Sequence, residues 1–339
     1  MVRIVVDTTG GDHCPGAPCQ GAVQALAQCP ELSVVLAGSR TEIERELKGH
    51  EFDANRLSIL ECQQTITNHD HPAMAIRRKA DSAIVKGLRQ VKDSQADAFV
   101  SVGSTGGILA GAILILGRLK GVLRPALVPT LPTLLGRPTV LVDCGANVDC
   151  KPAHLQQFAA MGSVYVQCMY DVQKPRVALL NIGTEAEKGN ELCKAVYPKL
   201  QEMPLAFVGN VEARDMLSGY VDVVVSDAFC GNVALKSAEG AFGLLMDVLK
   251  QEFTAKFRYK LAGALLKPAF AKIKKRLDHN QYGGAPLLGV KGCVYKGHGS
   301  SKEGTCAQMI LQAYRHVTQG TEDKLAQAMA EQSGLWSEE

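Results

Sequence analysis

Short apolar runs recur along the 339-residue chain, each followed by a small-residue polar loop and then by apolar residues at helical spacing. A short β-branched run between turn residues predicts a buried parallel strand, and apolar residues three and four apart predict a helix. Strands are predicted on this basis at 3–6, 33–37, 57–60, 98–102, 140–143, 177–181, 205–208, 223–225 and 294–295. Helices are predicted up to Leu26, from Thr41, across 72–92, after Gly107, from Val233, and from Ser301 through Val317. Regular alternation of this kind predicts an α/β fold, a mainly parallel sheet with helices on both faces. Right-handed crossovers would bring the C-terminal ends of the strands, and the loops that follow them, to one edge.

The stretch DVVVSDAFCGNVALK (222–236) condenses the pattern. A strand leads into a small polar loop, Asn232 is a candidate N-cap, and the helix beyond carries Lys236. Unpaired N–H groups and the positive dipole end make such a turn an anion-binding device, although many strand-to-helix turns bind nothing. Comparable loops follow other strands: DTTGGDH (7–13), GSTGG (103–107), GAN (145–147), GTEAEKG (183–189) and GNVEAR (209–214). Together they would gather Asp12, His13, Ser104, Thr105, Asn147, Lys188, Asn210, Asp227 and Asn232 at one sheet edge. That set holds no Ser–His–Asp order and no metal cluster; its cations and helix starts point to phosphate or another small anion.

Composition narrows the classes. At 46% hydrophobic and 21% charged residues the chain reads as a folded globular protein. A net charge of +3 and 5% aromatic residues do not suit a nucleic-acid binder. Asp7 interrupts the N-terminus before a signal-peptide core can form. Residues 98–117 are uncharged over a membrane-spanning length, yet five glycines, two serines and a threonine read better as strand, loop and helix. Eleven scattered cysteines without a C-x-x-C pair predict small buried hydrophobes, not disulfides or zinc. Cys230 is the one thiol that a helix N-terminus would activate, and His69 with His71 is the one histidine pair, in a loop where solvation is the ordinary outcome.

Two basic stretches remain. The helix predicted at 72–92 exposes Arg77, Arg78, Lys79, Lys86 and Arg89, a solvated face or a seat for an acidic partner. Residues 253–276 carry eight Lys or Arg and no acid, with Phe253, Phe257, Leu261, Leu265 and Leu266 at helical spacing. Pro268 is expected to divide that stretch into two helices. The composition fits a helix lying on an anionic membrane as well as an ordinary surface helix. Residues 282–290 read as a glycine-rich return, and the part from Gln319, including Trp336, as a polar tail dispensable for chemistry. The length suits one large α/β domain or two smaller ones, with a helical membrane- or partner-facing segment at 240–277 and a tail at 319–339.

Taken in order, VDTTGGDHCP, DHPAMAIRRKADS, ADAFVSVGSTGG, RPAL, DCGANVDCKPAHLQQFAAMG, PRVALLNIGTEAEKG, FVGNVEARD, DVVVSDAFCGNVALKSAEG, YGGAPLLGVKG and HGSS resemble the phosphate acyltransferase (PlsX) family of bacterial phospholipid synthesis. The resemblance runs from Val2 to about Val317. It implies one catalytic domain over 1–318 with a three-layer α/β/α fold of the isocitrate and isopropylmalate dehydrogenase type and a protruding basic amphipathic segment. It implies transfer of a long acyl chain from acyl carrier protein to inorganic phosphate, by a cytoplasmic homodimer associated with the inner face of the membrane, with no cofactor. The chain departs from the family pattern at Thr8-Thr9, at Ser104 (usually Asn), at Thr184, at Ala228 and at Cys230.

On that resemblance the phosphate is assigned to Lys188, Asn232 and Lys236, and the thioester carbonyl to Asn210 and Ser104. Thr105 and Asn147 would complete substrate binding, and His13, oriented by Asp12 or Asp227, would handle a proton. Phe253, Phe257, Arg258, Leu261 and Lys272 are the expected membrane or carrier contacts. Three alternatives stand beside this reading: a phosphotransacetylase using acyl-coenzyme A, a nicotinamide-dependent decarboxylating dehydrogenase, and a non-catalytic membrane-bound sensor of acyl carriers.

Overall fold

The apolar runs become strands of two sheets, not one. A computed structural model of the chain describes residues 1–277 and 279–336. Its first half contains β1 (Val2–Asp7), α1 (Gly16–Gln28), β2 (Leu32–Gly38), α2 (Arg40–Leu47), β3 (Leu57–Glu61), α3 (Pro72–Arg78), α4 (Ala83–Lys92), β4 (Ala98–Ser101) and α5 (Thr105–Gly111). The middle adds β5 (Ala126–Leu127), β6 (Thr130–Leu131), β7 (Thr139–Val142), α6 (Pro152–Tyr170), β8 (Arg176–Asn181), α7 (Glu191–Glu202), β9 (Ala206–Glu212) and β10 (Val223–Val225). Then come α8 (Ala228–Ala255), α9 (Phe257–Leu277), β11 (Ala285–Leu288), β12 (Cys293–Lys296), α10 (Glu303–Thr318) and α11 (Thr321–Glu331).

The first sheet runs β3-β2-β1-β4-β12-β11-β5 and the second β6-β7-β10-β8-β9. Pairing is parallel except around β11, which is antiparallel to β12 and β5, and at the β6–β7 pair. Alternate strand residues bury opposite faces, as a sheet covered on both sides requires. Ile4, Val6, Val100 and Tyr295 face α1 and α10, whereas Val5, Phe99 and Val294 face the other layer with Ile84 and Leu88 of α4. In the second sheet Val142, Leu179 and Val223 pack with Phe158 and Met161 of α6, and Leu141, Ala178 and Val224 form the opposite face. The α/β/α layering is therefore as the alternation predicts. The split arises at β5 and β6, two-residue strands too short to give a period, which end one sheet and begin the other.

Several boundaries differ from expectation. The 72–92 helix is two, because Ser82 caps a new start by accepting from the Val85 N–H at 3.4 Å. Two of its cations are not free: Lys79 pairs with Asp70 and Lys86 with Asp81, each at 2.7 Å. Strand β9 extends through Glu212, so Asn210 sits within a strand and not in the loop after it. Helix α8 begins at Ala228, capped by Asp227, whose carboxylate accepts from the Cys230 N–H at 2.8 Å. Asn232 is therefore a full turn inside the helix. The basic stretch breaks at Lys256, where the backbone is extended, while Pro268 is accommodated inside α9. The expected glycine-rich return contains β11.

The reading of 319–339 as a polar tail is corrected over 319–336; residues 337–339 lie outside the described residues. Helix α11 packs on α6, and Leu325, Met329 and Trp336 are buried in the core of the second sheet. Trp336 is only 5% exposed. Its apolar partners lie far away in sequence, so the polar composition of the segment gives no sign of them. Trp336→Ala should cost about 3 kcal/mol, the low end for emptying a large aromatic site. Chemical denaturation would register this as a lower midpoint, and an unchanged midpoint would mean that the segment is not part of the core.

Candidate active site

A cleft of about 370 Å³ lies where the two sheets meet. One wall comes from the first sheet: Thr105 at the start of α5, Leu127 of β5, Gly284 and Ala285 leading into β11, and Lys296 and His298 from the end of β12. The facing wall comes from the second: Thr130 and Leu131 of β6, Gly145 after β7, and Asn232, Leu235, Lys236 and Glu239 of α8. The four α8 residues follow helical spacing of three and four, so one face of that helix lines the cleft.

The junction of the walls rests on Asp143, which is fully buried just beyond β7. Its carboxylate accepts from the N–H of Leu127 in the other sheet at 2.9 Å and from the N–H groups of Ala146 and Asn147 at 3.2 and 2.7 Å. Burial outweighs these bonds and raises its pKa to about 6. Helix α8 closes on this junction at Gly231, where an added Cβ would lie 2.2 Å from the Asp143 carbonyl oxygen. Only glycine allows that approach.

A second buried carboxylate organises the first sheet's loops. Asp7, at the end of β1, accepts from Ser101 Oγ at 2.6 Å, from Thr9 Oγ1 at 2.7 Å and from the Thr9 N–H at 2.8 Å. Ser101 Oγ in turn accepts from the Gly103 N–H at 3.0 Å, tying the β1 and β4 loops together. Burial again pushes the acid up to about 6. Beyond it Asp12 and His13 are exposed, and the Asp12 N–H donates to the Gly299 carbonyl at 2.9 Å, joining this loop to the one after β12.

The structure brings some of the expected residues together and separates others. Thr105, Asn232 and Lys236 line the cleft. Ser104 caps α5 instead, its hydroxyl accepting from the Gly107 N–H at 3.3 Å. Asn147 donates both amide hydrogens internally, to the Pro125 carbonyl and to Asp143, each at 2.8 Å. The expected anion device at the start of α8 is already occupied. Asn147 carbonyl takes the Ala228 N–H at 2.9 Å, and Asp227 takes that of Cys230. Asp227 is thereby a cap, not a free base.

Lys188 sits on the loop after β8 and Asn210 within β9, and neither lines the cleft. Asn210 Nδ2 donates to the Glu185 carbonyl at 2.7 Å, and Asn181 Nδ2 donates to that of Lys188 at 3.0 Å. These bonds hold the 183–189 loop and leave the Lys188 side chain exposed. The Cys230 thiol is pushed up to about 11 by burial and then by Asp227, the opposite of what a nucleophile needs. His69 and His71 are exposed in their loop. Among the described residues no three His, Cys, Asp or Glu side chains cluster as metal ligands would.

Helices α8 and α9 project as a hairpin. Half-buried Phe253 holds it together, edge-to-face with Phe270 at 5.0 Å and against Gly263. Phe257, Leu261 and Leu265 are 84%, 62% and 79% exposed, with Lys256, Arg258, Lys260 and Lys272 exposed beside them. Among the described residues no helix is long and apolar enough to cross a membrane.

Sequence reasoning missed Lys296 and His298. Ser300 donates its backbone N–H to His298 Nδ1 at 3.2 Å, which leaves the ring proton of the neutral form on Nε2. Burial, and then the nearby Lys236 ammonium, holds the Lys296 ammonium below the usual lysine range. The signal for Lys296 was available: a charged residue closing an otherwise apolar strand, directly before a Gly-His-Gly loop, as Asp7 closes β1.

Comparison with known proteins agrees with this architecture. Residues 2–324 match the family described as "Fatty acid synthesis protein". Phosphate acyltransferase from Clostridium novyi is 44% identical over 324 residues, covering 96% of this chain and 97% of its own. That of Bacillus cereus is 44% identical over 332 residues, with 98% and 99% covered. Among solved structures, the EutD phosphotransacetylase from Staphylococcus aureus superposes with a TM-score of 0.59 at 16% identity, covering 93% of this chain and 94% of its own. A 4-hydroxythreonine-4-phosphate dehydrogenase from Klebsiella pneumoniae gives 0.51 at 12% identity, covering 94% and 99%. These two likenesses concern the fold alone, and the α/β/α dehydrogenase-like architecture is the one expected. The identity to full-length relatives goes further: the chain belongs to the phosphate acyltransferase family of fatty acid synthesis proteins.

Proposed function

We propose that the protein transfers a long-chain acyl group from acyl carrier protein to inorganic phosphate, giving an acyl phosphate for phospholipid synthesis. The observation that carries this reading is a cleft with Asn232 and Lys236 on one wall and Lys296 on the other, in a chain similar end to end to phosphate acyltransferases. Such a cleft suits a small oxyanion, and phosphate is already a competent oxygen nucleophile. Its oxygen attacks the thioester carbon, the C–S bond breaks, and the electron pair leaves with sulfur. An ordinary thiol has a pKa of about 8.5, so departure as thiolate needs no strong acid.

The protein's task is therefore placement and charge stabilisation. Holding two reactants in attacking geometry contributes about 7–11 kcal/mol at best, and one oxyanion donor about 3–4 kcal/mol. Asn232 and Lys236 hold phosphate, with Thr105 opposite them. Lys188, exposed on its braced loop, reaches the substrates from the second sheet, and Asn210 acts by fixing that loop. His13 moves the proton with Asp12 beside it, because Asp227 is engaged as a cap. Ser104 and Asn147 position backbone rather than substrate.

The hairpin supplies the partners. An acyl phosphate is a lipid whose consumer sits in a membrane, and the exposed apolar residues of α9 lie among cations. Each cation near an anionic leaflet contributes about 1 kcal/mol, and the phenyl and leucyl groups insert shallowly. The protein accordingly works at the inner face of the cell membrane and takes its substrate from the acidic carrier protein; its assembly as a homodimer rests on the family resemblance.

Three outcomes test these assignments. Purified protein should release carrier thiol from palmitoyl-acyl carrier protein only with phosphate present, indifferent to NAD and metal. Phosphate-independent release defeats the reading, and preference for acyl-coenzyme A favours a phosphotransacetylase. Lys188→Ala and Asn232→Ala should each reduce turnover about ten- to a hundredfold, the worth of one charge-assisted hydrogen bond. Cys230→Val should keep it, since the raised thiol is not used. Wild-type phosphate kinetics in the first two would remove them from the site. Finally, Phe257→Glu with Leu261→Glu should abolish sedimentation with anionic liposomes and spare turnover in solution. Retained binding would refute membrane insertion, and lost turnover would reassign the hairpin to the carrier.

A further inference from the structure

We propose that Lys296 and Lys236 form a two-cation seat for the phosphoryl group, with Lys296 at the point where the phosphate oxygen meets the acyl carbonyl. The inference rests on the reaction proposed above and assigns it a residue that sequence reasoning did not select.

Position is the first argument. Lys296 ends β12, whose neighbours in the first sheet are β4 and β11, and Lys236 lies on α8 of the opposite wall. The two therefore approach one cleft from separate sheets. Neither ammonium has a hydrogen bond or ion pair with a described residue. Glu239 of α8 shares the cleft, as do Tyr282, Cys144 and His298, so the titratable groups facing Lys296 include one carboxylate and a second lysine. Two like charges facing a half-buried space repel, and a dianion between them turns repulsion into two attractions. The shift of Lys296 below the usual lysine range agrees with that arrangement.

The second argument is what lies behind Lys296. It also lines a narrow apolar crevice with Ile108, Leu109, Leu127 and Leu287, which adjoins the cleft through Thr105, Leu127, Gly145 and Lys296 itself. The crevice as it stands has room for only about one small group, near 10 Å³. An acyl phosphate held with its phosphoryl group between the two lysines would set its carbonyl beside Lys296, against this apolar wall. In the transfer step Lys296 remains protonated throughout. The new C–O bond forms as the C–S bond breaks, and the ammonium offsets charge on the phosphoryl and carbonyl oxygens.

The test uses the full chain and inorganic phosphate alone, then palmitoyl-acyl carrier protein. Phosphate should raise the melting temperature of the wild type, and Lys296→Met should lose that rise. Its KM for phosphate should increase about tenfold or more, as loss of a charged hydrogen-bond donor implies, with the KM for the carrier substrate within about twofold. Lys296→Arg should recover part of the phosphate affinity. In Lys236→Met the alkaline loss of phosphate binding should move to higher pH, because Lys296 then holds its proton more firmly. A merely structural lysine would not produce that movement. Wild-type phosphate binding in Lys296→Met, or an unmoved alkaline limb in Lys236→Met, overturns the assignment. Should Lys296→Met fail to fold, a folded Lys296→Arg with unchanged phosphate affinity does so equally. Wild-type protein that binds phosphate yet lacks turnover would sink the reaction while leaving the seat intact.

Discussion

A buried carboxylate joins the two halves of the molecule. Asp143 stands at the end of a strand in one sheet and accepts from the backbone of Leu127 in the other. Its remaining acceptor capacity holds the Ala146–Asn147 turn. Removing it would strand several buried N–H groups, at about 1–3 kcal/mol each. The cleft exists because the sheets meet at this junction and nowhere fuse. The Leu127 and Gly145 backbones that it fixes are themselves cleft wall.

Helix α8 depends on the same junction. Its first turn reaches Asp143 only through the bare Cα of Gly231, and that approach sets the angle at which Asn232, Lys236 and Glu239 face the cleft. The whole helix is 28 residues long, about 42 Å, and its C-terminal part leaves the body of the fold as one arm of the hairpin. One rigid element therefore has a polar face in the cleft and an exposed apolar end in the hairpin.

The electrostatics divide cleanly between scaffold and site. The buried acids, Asp7 and Asp143, are spent on backbone N–H groups and hydroxyls within the loops. Arg176 and Asp222, paired at 2.9 Å across β8 and β10, do similar work at the opposite ends of the second sheet's strands. The cations at the cleft have no such internal partners among the described residues. Lys236 and Lys296 face the cleft together with one carboxylate, that of Glu239.

Most strand positions and the layered class were legible because period and turn chemistry are local, whereas the starts of α4 and α8 were not. Val223–Val225, the β1 loop and the GSTGG loop stand where their residues place them. So did the exposed cations and apolar residues of 253–276, since a long surface helix carries its pattern openly. Other features depended on partners distant in the chain. The helix break fell at Lys256 and not at Pro268, because the packing of Phe253 on Phe270 sets the hairpin turn. Asn147 reads as a ligand group, yet its amide is consumed by the Pro125 carbonyl, 22 positions earlier, whereas Ser104 and Asp227 are consumed locally as helix caps, each by an N–H three residues on. Trp336 joined the core through residues more than a hundred positions away. Lys296 gained its meaning from Lys236, sixty residues earlier on the other sheet's helix. Sequence determined which residues could carry charge to a loop edge; tertiary structure decided which of them were already paired.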